Sequence, residues 1–293
     1  MQKIKYLNLV FILCLFSPFV LAQEADLTDS VHQNKAQYVS GTFESTRVAN
    51  GHSIEQIPKG VLDLRIGHRF GLANQGFYSF FGMDQATTCL ALDYGIKDWL
   101  MVGLSRATLD KTMSGFTKLR LMRQSSGLTE MPVSVSVLLG TSIIGAKWIY
   151  PNRNNYFSSR ISYYSQLIVA RKLSETFSLQ FSPIWIHRNL VPKKIDKSDM
   201  FALGFAGRCK ITSNMSINGE YYPVISPSWN HQNTNYTNAL SFGLDIETDG
   251  HVFQLLLTNS TGMNEKAFVT ETTGNWFKGV HIGFNISRKF SLN

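Results

Sequence analysis

Asp63 and Arg65 stand two residues apart in "VLDLRIGHRF", with Arg69 four further on and Leu62, Leu64 and Ile66 between or beside them. The same habit recurs at Asp93, at Lys118 and Arg120, at Arg208 and Lys210, and at Glu220, Asp245 and His281. In an extended chain, alternate residues share a face, so each of these groups lies opposite a row of apolar side chains. Acids and bases turned to one interior can do two things. They can pair with one another and fill the space, or they can line a water-filled passage whose slight excess of bases gives a mild preference for anions. Both readings stand at the level of sequence.

Catalytic parts are harder to assemble. A nucleophile needs a base within hydrogen-bond reach and a third group to orient that base. "GHS" at Gly51–Ser53 sets histidine beside serine, but neighbours on a strand point to opposite faces. Asp84 with His187, or His251 with an acidic loop residue, could be joined only by the fold. An outer-membrane enzyme acting on lipid or peptide is therefore the alternative function, not the leading one. His68 reads as a rim residue and His281 as a hydrogen-bonding group of the interior. Beyond the N-terminal leader the thiols are Cys89 and Cys209, without CxxC or a Cys/His cluster, so no metal site and no cofactor are expected.

The elements that would position these groups follow from the patterning. "MQKIKYLNLVFILCLFSPFVLAQ" has two lysines, an apolar run and a small residue at Ala22, the form of a signal peptide over residues 1–22. Without Lys3 and Lys5 the basic count falls from 28 to 26 against 20 acidic residues, a net charge of +6. That balance is mild and scattered, and nucleic acid is not an expected partner of an exported chain. No later stretch reaches the ~18 consecutive apolar residues of a membrane helix, so passage through a membrane would need a closed β-barrel.

From residue 59 the chain divides into alternating segments near the length of transmembrane strands, at 60–70, 85–96, 99–109, 115–124, 132–141, 159–172, 176–188, 199–211, 214–224, 237–247, 251–259 and 276–290. "PVSVSVLLG" and "NALSFGLDIE" are the plainest examples. Short links such as "KD", "SET", "SN" and "TDG" alternate with long ones such as "TSIIGAKWIYPNRNNYF" and "STGMNEKAFVTETTGN". The expectation is an all-β, antiparallel up-and-down transmembrane barrel over residues 59–293, with about 12 strands and 14 as the alternative. It would sit in the outer membrane of a Gram-negative bacterium with both termini periplasmic. Phe70, Trp99, Phe157, Trp185, Tyr221, Tyr222, Trp276 and Phe290 fall near strand ends, as interfacial girdles would require. In "FKGVHIGFNISRKF" the Val280, Ile282, Phe284 and Ile286 face would meet lipid and the His281, Asn285 and Ser287 face the interior, making this the closing strand.

Residues 23–58 differ in kind. They are polar, and Asn50-Gly51 lies between two runs too short to cross a membrane, which reads as a small hairpin either in the periplasm or plugging the barrel mouth. "ANGHSIEQIPKGVLDLRIGHRFG", "FGMDQATTCLALDYGIKDWLMVGLSR" and "GFTKLRLMRQ" followed by "MPVSVSV" resemble a family of membrane-bound β-barrel domains of unknown function, typical of the outer membranes of Bacteroidota. The resemblance implies a fold and a compartment, and carries no catalytic residue.

The partners expected are the outer-membrane lipid bilayer, the barrel-insertion machinery, and a small polar solute or a surface ligand. A ligand would meet the aromatic long loops at Trp148, Tyr150, Trp229 and Tyr236. The interior would be lined by Asp63, Arg65, Asp93, Lys118, Arg120, Arg208, Glu220, Asp245 and His281. The leading function is a narrow pore or a structural, surface-binding barrel; a secreted soluble β-protein is the remaining reading.

Overall fold

Alternation of β-branched, aromatic and leucine residues with small or polar ones builds strands that are apolar on one face, and such strands close on themselves when no edge can be left in lipid. The computed structural model describes residues 36–148, 150–191, 196–226 and 236–292. Twelve strands form one closed antiparallel barrel. In chain order they are β1 Val61–Leu72, β2 Ala86–Lys97, β3 Leu100–Ala107, β4 Met113–Met122, β5 Ser134–Ile143 and β6 Ile161–Lys172. They continue as β7 Phe177–Arg188, β8 Asp199–Lys210, β9 Met215–Tyr222, β10 Ala239–Thr248, β11 His251–Thr258 and β12 His281–Ser291.

Each strand pairs with its chain neighbours, and β12 closes on β1 through pairs such as Asn285 with Gly67 and Ser287 with Arg65. The twelve alternating segments of the sequence are these strands, shifted by a residue or two at most ends. The last begins at His281 rather than residue 276, because the chain before it turns through Asn275–Gly279.

Side chains divide as the alternation demands. Leu104, Leu139, Phe201, Phe205, Phe242 and Leu255 are exposed on the outer wall, while Asp63, Arg65, Asp93, Lys118, Glu220 and Asp245 are buried inside. Tyr222 departs from the girdle expected of it. It is 1% exposed, turned inward, and packed edge-on against Phe268 at 5.0 Å between ring centres. Alternation explains the difference, since Tyr221 and Tyr222 must face opposite ways and Tyr221 takes the outer wall.

Two further pieces occupy the lumen. Residues 41–57 run in from the end that carries the short turns, fold back, and return to Gly60, whose N–H bonds the Gly95 carbonyl at 2.8 Å. Just outside, Gln37–Tyr38 pairs with Ser125–Ser126 at the same mouth. From the long-loop end, the connection between β11 and β12 bends inward through one π-helical turn, Lys266–Thr270, all of it buried. A barrel of this strand number falls between the ~8 strands that side chains alone can fill and the ~16 that leave an aqueous channel. The space left over is what these two segments take up.

Candidate functional site: a filled lumen

A segment without regular structure, buried in a barrel, leaves its main-chain N–H and C=O groups to be satisfied by whatever surrounds it. Here the wall supplies the partners. On β9, the Glu220 carboxylate accepts from the main-chain N–H groups of Asn50 at 2.8 Å, Gly51 at 3.1 Å and Ala49 at 3.3 Å. On β11, Gln254 Nε2 donates to the Val48 carbonyl at 2.8 Å, and on β12 Asn285 Nδ2 donates to the Ala49 carbonyl at 2.9 Å. Gln180 of β7 donates to the His52 carbonyl at 2.8 Å. Lys118 of β4, fully buried, donates to the Ser53 carbonyl at 2.7 Å and also to that of Glu55. Arg208 of β8 donates to the Gly41 carbonyl at 2.7 Å and pairs with Glu44.

The hairpin expected at Asn50-Gly51 forms, but not as a free-standing turn. Arg47 bridges His52 and the Val48 N–H bonds the Gly51 carbonyl at 2.9 Å. Neither Asn50 nor Gly51 adopts the positive φ of the turn that Asn-Gly favours. The wall takes its place: the carbonyls of Val48 and Ala49 turn outward to Gln254 and Asn285, and Asn50 Oδ1 accepts from Arg69 Nη2 at 2.8 Å. Glycine at 51 is a matter of space, since a Cβ there would collide with the Tyr222 hydroxyl.

Apolar side chains of the hairpin turn the other way. Phe43, Val48 and Ile54 pack with Ile168, Ala170 and Ala206 of β6 and β8. Ile57 joins a second cluster with Met101, Phe116, Leu138, Tyr164 and Ile184, which extends to Phe268 and Val269 of the inward loop. Burying each of these side chains stabilises the closed form by roughly 1.5–3 kcal/mol before the cost of ordering the segment. The two lumen segments meet at Glu265, which lies 3.2 Å from Arg47 Nη1 and 3.4 Å from His52 Nε2. The His52 contact has the distance of an ion pair without the alignment of a hydrogen bond.

The interior residues read from the sequence fall as follows. Arg65 Nη1 pairs with Asp93 Oδ2 at 3.2 Å and reaches Thr46 Oγ1 of the hairpin at 3.3 Å. Asp63 is buried beside Asp93 in the β1–β2 register. Asp245 accepts from Asn218 at 2.6 Å and Gln254 at 2.9 Å. His281 Nδ1 donates to the Phe70 carbonyl at 2.9 Å at the long-loop end. Arg120 sits at the short-turn mouth, where it donates to the Asp98 carbonyl at 3.2 Å. A polar cavity of about 380 Å³ remains at that mouth between hairpin and wall, lined by Glu44, Glu55, Lys172, Arg208 and Lys210.

Of the loop aromatics, Trp148 lies under the Arg160 guanidinium at 4.0 Å and Tyr150 under that of Arg153 at 4.3 Å. Tyr236 is half-buried against the interior cluster. Trp229 and the signal segment lie outside the described residues. Gln180, Gln254, Arg47 and Glu265 were not singled out by the sequence, although the inward phase of "SLQFS" and "VFQLLL" marks both glutamines.

A family model described as a membrane bound beta barrel domain (DUF5777) matches residues 43–290. The chain belongs to this family. The DUF5777 match begins at Phe43, so it takes in the lumen hairpin as well as the wall. Among solved structures, the chain is similar to the NanC porin, at 11% identity over 78% of this chain and 98% of that one, with a TM-score of 0.50. It is also similar to the KdgM porin, at 9% identity over 80% and 99% of the two chains, with a TM-score of 0.44. At 11% identity the likeness to the NanC porin is one of fold. No curated protein gives a significant match.

Proposed function

We propose that this DUF5777 barrel is an outer-membrane pore closed at rest, which passes small polar solutes only when residues 41–57 leave the lumen. The observation that carries the reading is the nature of the grip. Most of the wall's hydrogen bonds to the hairpin go to main-chain groups, among them those of Ala49, Asn50, Gly51, Ser53 and Glu55, and come from polar side chains that water or a polar solute would satisfy equally well. The hairpin enters from the short-turn mouth and is tied there at both ends, so it can withdraw without unthreading the barrel. With the short turns periplasmic, both chain ends and the hairpin face the periplasm, and the inward loop seals the outer side.

An enzyme acting on lipid or peptide has less support. His187 has Asp199 at 2.9 Å, but the pair lies on the outer wall among Tyr163 and Trp185, away from the lumen groups. The test is planar-bilayer conductance of the refolded mature chain beside a variant lacking residues 41–57, each checked for heat-modifiable gel migration. The reading expects a silent full chain and discrete ohmic steps from the deletion. A folded deletion variant that stays silent would defeat it.

A further inference from the structure

Between β6 and β7 the ladder is interrupted. Pairing runs from Ser162 with Arg188 to Gln166 with Ile184 and resumes at Val169 with Phe181 in the same register. The gap falls at Leu167 and Ile168, opposite Pro183 and Ser182. Leu203 on the far side sends its N–H to Pro223 of the next connection at 3.0 Å, so the Leu203–Pro183 pair is a non-hydrogen-bonded one and the Pro183 backbone turns toward β6. Proline has no N–H to give there.

Over this gap, on the outer wall, lies a groove of about 450 Å³. Leu139, Leu167, Pro183, Trp185, Phe201 and Leu203 line it, and none of the described residues that line it is charged. The volume is that of a small-molecule site, ~300–1,000 Å³. At the long-loop rim the groove ends in polar groups: Trp185 Nε1 donates to Asp199 Oδ1 at 3.0 Å, and His187 Nδ1 lies 2.9 Å from the same oxygen.

We propose that this groove binds one acyl chain of a membrane amphiphile, its polar group seated at Trp185, His187 and Asp199. The occupant follows from the position and the lining. A wall that faces hydrocarbon offers the groove nothing but lipid, the described lining is uncharged, and the hydrogen-bonding rim stands at one end, as a headgroup requires.

The probe is a diazirine-bearing palmitic acid, photolysed with the refolded full mature chain in detergent, with adducts mapped by mass spectrometry. Labelling is expected to concentrate on outward residues of β6, β7 and β8, and to fall about tenfold in Ser165→Trp, which fills the groove from its floor. If that variant loses heat-modifiable migration, Pro183→Val replaces it, restoring the missing N–H and closing the gap from within, with the same loss expected. Even labelling around the girth of the wild-type barrel, meaning annular lipid only, would overturn the proposal. So would adducts that persist unchanged in a folded groove-filling variant.

Discussion

The two halves of the wall treat the same hairpin differently. The arc from β9 through β12 to β1 and β2 turns Glu220, Asp245, Gln254, Asn285, Arg69, Arg65 and Asp93 inward and holds the hairpin by its main chain. The arc from β3 to β8 also reaches main-chain carbonyls through Lys118, Gln180 and Arg208, but it turns Met101, Phe116, Leu138, Ile168, Ile184 and Ala206 inward and packs the hairpin's side chains. Polar contacts of the first kind exchange readily with water, while apolar contacts of the second resist exposure. The contrast assigns the arcs separate tasks: the polar one sets where the tip docks, and the apolar one sets how firmly the segment stays. The apolar arc is also the half whose ladder breaks at Pro183.

The largest break in this comparison should come from Gly51→Val. With no room beside Tyr222, the tip cannot dock at all, and bilayer recordings should change from silence to discrete steps while the barrel remains heat-modifiable. Next, Phe43→Ala removes the largest hairpin side chain from the apolar arc and should destabilise the closed form by about 3–5 kcal/mol. Limited proteolysis near residue 43 would report it as faster cleavage with the wall strands intact.

A smaller effect belongs to the polar arc. Glu220→Ala strands the N–H groups of Ala49, Asn50 and Gly51 and should cost about 2–3 kcal/mol, close to a hundredfold in local opening. Conductance openings should become frequent yet brief, because the apolar side still draws the segment back. The smallest change expected is Pro183→Val, which adds one ladder hydrogen bond worth about 0.5–1.5 kcal/mol and should raise the thermal midpoint slightly without opening the lumen.

Much of the wall was legible because every strand repeats the same two-residue period, and the alternation of short and long links fixed the neighbours. The inward charges followed from that phase alone. The hairpin was legible only as a possibility: Thr42–Ile57 alternates too briefly to span, and nothing local says which surface it will meet. Its Asn-Gly pair pointed to a turn stabilised by its own backbone, whereas the tip is held by Glu220, some 169 residues away in sequence from Gly51. The inward fold of the β11–β12 connection was illegible, since "MNEKAFVTET" has no strand period and its Phe268 finds Tyr222 only once the barrel has closed. Tyr222 misled for a related reason: strand-end aromatics favour the interface, but phase overrides that tendency.

The central claim is that the wall holds residues 41–57 inside the lumen by their main chain. Amide hydrogen exchange of the refolded mature chain tests it most directly, read at Ala49, Asn50 and Gly51. The account predicts exchange there as slow as in β9 itself, and selectively faster in Glu220→Ala while β9 stays protected. Exchange at those three amides as fast as in an exposed loop, in a barrel whose strands are protected, would contradict it.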